Sequence, residues 1–271
     1  MKKNNRTLLL SLFCVCILVI SFIFWNNKMT PNNFKVDAAT NNSNGVNGQQ
    51  ISVILLGDSN TRISYFDETP TKKWANIIEK ELDIKVTNFG IGGRSTSDIL
   101  TSGKREKTKD RWVGEGWKKV DGDYYIICFG LNDSKYYNEY TFEKYTRELI
   151  NIIQNELKGI PILMTNVYVP YPDYFSFDRN KVIDSFDNIK RKLATELNLD
   201  LIDVNDRFKK EWKENGIWDT RIRTSKIWGA TEDKAKTVNE GWFDNIHYNE
   251  LGNKIVAEEI IKYFQENIIS Q

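Results

Sequence analysis

The chain has 271 residues, with 38 Lys+Arg against 37 Asp+Glu, 40% hydrophobic residues and 28% charged ones. That length suits one α/β domain with a sizeable core and is short for two. The near-zero charge balance gives no electrostatic case for nucleic acid as a partner.

The first segment stands outside the fold. Lys2, Lys3 and Arg6 precede a nearly unbroken apolar run, Leu8 to Trp25, that carries no charge. Residues 1–28 therefore read as an N-terminal signal peptide or membrane anchor. The run has about 18 residues, close to the length that crosses a bilayer as a helix. Its basic leader predicts a cytoplasmic N-terminus with everything after it translocated, to the cell surface or beyond. Val36-Asp37-Ala38 offers small residues to a signal peptidase but lies far beyond the run, which favours a retained anchor. If uncleaved, this segment makes the membrane a partner. Leu12-Phe13-Cys14 is a poor lipoprotein signal, because the apolar run continues past the cysteine.

Residues 29–49 read as a disordered linker. Asn, Ser, Gly and Gln dominate, and Asn41-Asn42-Ser43-Asn44-Gly45 has no periodicity. Order is expected from about residue 50 to residue 271. Ile51–Leu56 is a short apolar strand, Trp74–Leu82 an amphipathic helix and Ile84–Asn88 a second strand. Tyr124–Phe129 is a third strand. Phe142–Leu157 carries Leu149, Ile152, Ile153 and Leu157 on one helical face. Ile160–Thr165 is a fourth strand, and Val182, Ile183, Phe186, Ile189, Leu193 and Leu197 recur at helical spacing. Leu199–Val204 is a fifth strand, and Leu251–Phe264 a closing helix. Apolar strands alternating with amphipathic helices predict a three-layer α/β/α sandwich around a mostly parallel five-stranded sheet.

Cys14 and Cys16 lie inside the leader run, which leaves Cys128 alone in the domain and without an intramolecular disulfide partner. Its place in Tyr124-Tyr125-Ile126-Ile127-Cys128-Phe129 reads as a small core residue rather than a nucleophile.

In an open parallel sheet, ligands bind beyond the carboxyl ends of the strands. The residues that follow each apolar run are therefore the informative ones. Gly57-Asp58-Ser59-Asn60 follows the first strand. Asn88-Phe89-Gly90-Ile91-Gly92-Gly93-Arg94-Ser95 runs out of the second, and Gly130-Leu131-Asn132-Asp133 follows the third. Asp244-Asn245-Ile246-His247 precedes the last helix, and His247 is the only histidine in the chain. All four segments are expected on one rim.

Those four segments, in that order, resemble the four blocks of the SGNH (GDSL) hydrolases, over about Ile51 to Phe264. The resemblance implies a flavodoxin-like SGNH hydrolase domain and an esterase in which Ser59 is the nucleophile, His247 its base and Asp244 the carboxylate that orients the imidazole. It also implies an oxyanion hole made by the backbone N–H groups of Ser59 and Gly93 and the Asn132 side-chain amide. Asp58 and Asp133 are expected to fix loops. No cofactor is implied, and a single histidine with a single cysteine in the domain gives no zinc cluster.

Within the superfamily the second segment is similar to the Gly-Arg-Ser segment of rhamnogalacturonan acetylesterases, which remove acetyl groups from a polysaccharide. Those enzymes commonly carry Gly-His-Asn-Asp where this chain has Leu131. The expected substrate is an acylated, foremost O-acetylated, carbohydrate or another small ester. Alternatives are an O-acyltransferase with the same triad, a lipase or thioesterase, and a non-catalytic surface binding module. The eight Trp suit either a sugar-stacking groove or a core. Trp212–Trp242 and the basic Gly103–Trp117 segment each read either as a lid or substrate wall or as plain surface. Substrate-contacting residues and oligomeric state are left open.

Overall fold

The computed structural model describes residues 50–62, 72–100, 116–169, 177–215, 221–224 and 242–269. The leader 1–28, the linker 29–49 and most of the 103–117 and 212–242 segments lie outside the described residues. In chain order the elements begin with β1 (Ser52–Gly57), α1 (Trp74–Leu82), β2 (Lys85–Gly90) and α2 (Thr96–Leu100). They continue with β3 (Tyr124–Ile127), α3 (Glu139–Asn151), β4 (Ile160–Met164), α4 (Arg179–Leu197), β5 (Asp200–Ile202) and α5 (Val204–Asn215). A hairpin of β6 (Arg221–Thr224) and β7 (Trp242–Tyr248) precedes the last helix, α6 (Glu250–Phe264).

The five strands expected from the sequence form one sheet in the order β2-β1-β3-β4-β5, and all four pairings are parallel. β1 is the second strand of that order and is buried on both faces. Alternation along a strand sends its residues to opposite faces. Val53 and Leu55 join Ile126 and Ile162 against Trp74, Ile78, Phe208, Ile260 and Phe264, on the side covered by α1, α5 and α6. Ile54 and Leu56 join Tyr125, Ile127 and Leu163 against Phe142, Leu149, Phe186 and Leu193, on the side covered by α3 and α4. Phe142 stacks on Phe186 with ring centroids 4.1 Å apart and planes within 6°. The architecture is the expected three-layer sandwich.

Helix starts follow from side-chain capping. Asn138 accepts from the Thr141 N–H, Asp178 from the Asn180 and Lys181 N–H groups, and Asn249 from the Gly252 N–H. Each such cap stabilises its helix by about 0.5–2 kcal/mol. Asp83 and Asn198 end α1 and α4 in the left-handed conformation, each at φ 51°.

Several boundaries differ from expectation. β2 runs to Gly90 rather than Asn88, because Gly90 pairs with Gly57 and extends the register into the turn. β5 is only three residues long. α3 begins at Glu139, where Asn138 supplies the cap, and its tail Ile152–Glu156 widens into a π-helical turn. The β6–β7 hairpin, antiparallel and separate from the main sheet, has no counterpart in the sequence reading. Of the tryptophans whose surroundings are described, Trp74 and Trp117 are both core residues.

Candidate active site

Ser59 stands in the turn directly after β1. That turn closes through Thr61 and Arg62, whose N–H groups donate to Asp58 O at 3.2 and 3.1 Å. The Asp58 carboxylate accepts the Asn60 N–H at 2.9 Å. Gly57 makes the tightness possible: a Cβ there would lie 2.0 Å from Thr61 Oγ1. The outcome is a serine that is 5% exposed, at the carboxyl edge of the sheet.

His247 reaches it from β7. His247 Nε2 lies 2.9 Å from Ser59 Oγ, and Nδ1 lies 2.9 Å from Asp244 Oδ2. The second carboxylate oxygen of Asp244 accepts the Ile246 and His247 backbone N–H groups at 2.6 and 2.7 Å. Burial pushes the Asp244 carboxyl up. The hydrogen bonds and charge of His247 and the Ile246 N–H outweigh it, so Asp244 is held below the usual carboxylate range. A buried anion thus meets one imidazole nitrogen while the other meets a hydroxyl. Such a chain of bonds fixes the tautomer and lets the imidazole accept the serine proton. Asn60 Nδ2 donates to Ile246 O at 3.2 Å, tying the serine turn to the histidine strand.

The second segment folds over the first. Asn88 Nδ2 donates to Thr61 O at 2.6 Å, and the Ile91 N–H donates to Gly57 O at 3.1 Å. Gly93 has φ +74°, a region that L side chains rarely adopt, and nothing lies within 4 Å of where its Cβ would be. Among the described residues, the backbone N–H groups of Ser59 and Gly93 donate to no protein acceptor. Both are therefore available to a bound anion.

Asn132 enters after β3. Its Nδ2 donates to Arg94 O at 3.0 Å and lies 3.5 Å from Asp58 Oδ2. The first contact orients the amide. The second is long, so that proton can turn to a stronger acceptor. Asp133 is a loop anchor, accepting the Thr96 N–H at 2.9 Å and the Gly130 N–H at 3.1 Å. Its burial pushes the carboxyl up to about 6 despite those bonds. Asp58 is also raised by burial, against the Asn60 hydrogen bond and the nearby charges of His247, Arg179 and Lys190. Ser59, Asp244, His247 and Asn132 thus meet at one edge, and the Asn132–Arg94 bond joins the residue after Gly93 to them.

Two cations beneath this edge escaped the sequence reading. Lys190, fully buried on α4, donates to Phe129 O and Met164 O at 2.6 Å each, where β3 and β4 end. Its Nζ lies 3.9 Å from Asp187 Oδ1, which also accepts the backbone and side-chain N–H groups of Asn166 at 2.9 Å. Asn166 packs on Gly130: a Cβ at that glycine, φ +133°, would lie 2.3 Å from Asn166 Nδ2. Arg179 Nε donates to Ser134 Oγ at 2.9 Å, and its Nη2 donates to Leu131 O. The available signal was spacing: Arg179, Asp187 and Lys190 share the α4 face with Ile183, Phe186 and Leu193. Charges on an apolar stripe need buried partners.

Cys128 lies in the core, and burial pushes its thiol up to about 12, so it stays protonated at neutral pH. Among the described residues, no group of three or more His, Cys, Asp or Glu is placed to hold a metal ion, and no helix is long and apolar enough to cross a membrane.

A family model described as GDSL-like Lipase/Acylhydrolase matches residues 53–260. No curated protein sequence matches the chain. Among solved structures, the chain is similar to a lipolytic G-D-S-L family protein from Veillonella parvula (18% identity, TM-score 0.58, covering 79% of this chain and 98% of that one). An acetyl xylan esterase matches at 22% identity and TM-score 0.55, covering 78% and 98%. An acetylxylan esterase from Geobacillus stearothermophilus matches at 18% identity and TM-score 0.54, covering 78% and 93%. At these identities the structural likeness speaks for the fold.

Proposed function

Because the chain belongs to the GDSL-like lipase/acylhydrolase family, we propose that it is an exported serine esterase that removes O-acyl groups, foremost O-acetyl, from a carbohydrate. The observation that carries this is the unbroken hydrogen-bond chain from Ser59 Oγ through His247 to Asp244, 2.9 Å at each link. Ser59 Oγ attacks the ester carbonyl as His247 Nε2 takes its proton. The tetrahedral oxyanion is met by the Ser59 and Gly93 N–H groups and by Asn132 Nδ2. His247 then returns the proton to the departing sugar oxygen, leaving an acyl-serine. Water, deprotonated by the same nitrogen, attacks the acyl-serine and releases the carboxylic acid and the free serine. Asp244 keeps Nδ1 protonated throughout and stabilises the imidazolium.

The carbohydrate assignment draws support from the second segment's similarity to polysaccharide acetylesterases and from the acetylxylan esterases among the similar structures. Export is supported by the basic, then apolar, residues 1–28. Screening acetylated xylan, galacturonan and amino-sugar oligosaccharides tests the assignment, with released acetate as readout. Acetate release from at least one is expected. Acetyl transfer to added oligosaccharide in place of hydrolysis would make the enzyme an acyltransferase. Activity on aryl esters with no glycan deacetylated would leave the esterase and remove the carbohydrate.

Replacing Asn132 by Ala removes one oxyanion donor. A loss of about 10²–10³ in kcat on an aryl acetate is expected, the usual worth of such a donor. Steady-state kinetics check it, and an unchanged kcat would take Asn132 out of the oxyanion hole.

A further inference from the structure

The loop that presents Asn132 is held from below by a side chain of α4. Arg179 is the first residue of that helix and is fully buried. The start of the helix is fixed independently of the loop. Asp178 caps it, and Asn180 brackets Val169 in the segment after β4. Asn180 Oδ1 accepts the Val169 N–H at 2.9 Å, and its Nδ2 donates to Val169 O at 3.0 Å. From this anchor the Arg179 guanidinium reaches the loop at two points. Its Nη2 donates to Leu131 O, and its Nε donates to Ser134 Oγ at 2.9 Å. Ser134 closes the triangle, because its hydroxyl donates to the same Leu131 O at 2.7 Å.

Leu131 O belongs to the peptide group that joins Leu131 to Asn132, and a peptide group is planar from one Cα to the next. Holding that oxygen therefore holds the N and Cα of Asn132, from which its amide side chain projects. The far end of the side chain has its own restraint in the 3.0 Å bond from Nδ2 to Arg94 O. Burial lowers the Arg179 guanidinium to about 10, against the nearby charge of Asp58, so it stays charged at neutral pH. Its bond to the carbonyl is then charge-assisted and stiffer than a neutral one. Stiffness matters at this place. An oxyanion donor acts within about 2.7–3.1 Å of the developing charge, and a misplacement of about 1 Å is enough to cost on the order of 10²-fold in rate.

We propose that Arg179 is a positioning residue for the oxyanion site. Fully buried, it touches no substrate; it acts by fixing the Leu131–Asn132 peptide and, through it, the Asn132 amide. The role rests on the esterase reading above, with Asn132 as an oxyanion donor, and is independent of which alcohol carries the acyl group. Because the oxyanion forms only in the transition state, a misplaced donor lowers kcat and leaves KM nearly unchanged. Loss of Arg179 through this route costs no more than loss of Asn132 itself.

A double-mutant cycle on an aryl acetate tests it, with kcat counted per serine labelled to completion by a fluorophosphonate, so that misfolded chains do not enter. Arg179→Met is expected to lower kcat by about 10–10²-fold with KM little changed. Placed in the Asn132→Ala protein, the same substitution should lower kcat by less than about twofold, because the group it positions is gone. If Arg179→Met does not fold, Ser134→Ala carries the same test with a smaller loss of about fivefold. Equal losses in both backgrounds, or no loss in either, would overturn the positioning role and leave Asn132 in the oxyanion hole. An Asn132→Ala protein with the wild-type kcat would overturn both.

Discussion

Ser59→Ala is expected to lower kcat on aryl acetates by about 10⁴–10⁶-fold, with KM little altered and the thermal midpoint close to wild type. In the proposed mechanism the hydroxyl is the atom that bonds to the substrate carbonyl, so nothing else in the site substitutes for it. The residual rate over water would then come from the proposed oxyanion donors, which the substitution leaves in place. His247→Ala should cost about as much, and the double variant no more than either alone, because a nucleophile without its base and a base without its nucleophile are equally idle. A fluorophosphonate probe should label the wild-type chain at Ser59 and neither variant. Turnover in Ser59→Ala at the wild-type rate would remove the mechanism altogether.

Asp244→Asn should cost less, about 10⁴-fold in kcat, and for a different physical reason. The backbone N–H groups of Ile246 and His247 both point at Oδ1, so an asparagine keeps its carbonyl oxygen there. Its NH₂ group then falls where Oδ2 now meets Nδ1, 2.9 Å away. A donor at that place demands an unprotonated Nδ1 and moves the imidazole proton to Nε2. That nitrogen then faces Ser59 as a donor and cannot take its proton. Steady-state kinetics should show the loss in kcat, while a retained thermal midpoint would separate the wrong tautomer from simple misfolding. Loss of less than about tenfold would mean that Asp244 does not set the tautomer.

Much of the frame was legible because a parallel sheet covered on both faces needs continuous apolar strands. Ser52–Gly57 and Tyr124–Ile127 have that character. The strand-end rule then leads to the three segments that hold Ser59, Gly93 and Asn132, and the family resemblance singles those residues out within them. The histidine's support was harder to see. β7 reads Trp-Phe-Asp-Asn-Ile-His-Tyr, with polar residues interrupting any apolar run, and its partner β6 has only four residues, two of them arginine. A short hairpin with mixed sides lacks the period that identifies a strand. The buried Lys190 and Arg179 were hidden for a related reason: apolar residues three and four apart define the α4 face so well that charges on it go unread.

The β6–β7 hairpin divides the proposed catalytic apparatus. Ser59, Gly93 and Asn132 belong to loops of the five-stranded sheet, whereas Asp244 and His247 ride on a separate two-stranded element. The seam between them includes Asn60 and Ile246, the Ser59–His247 bond itself, and Tyr248, buried in the core 5.6 Å from the Phe208 ring. The relative placement of the two elements therefore matters as much as the residues they carry, and the Asn60–Ile246 and Ser59–His247 bonds are where it is held.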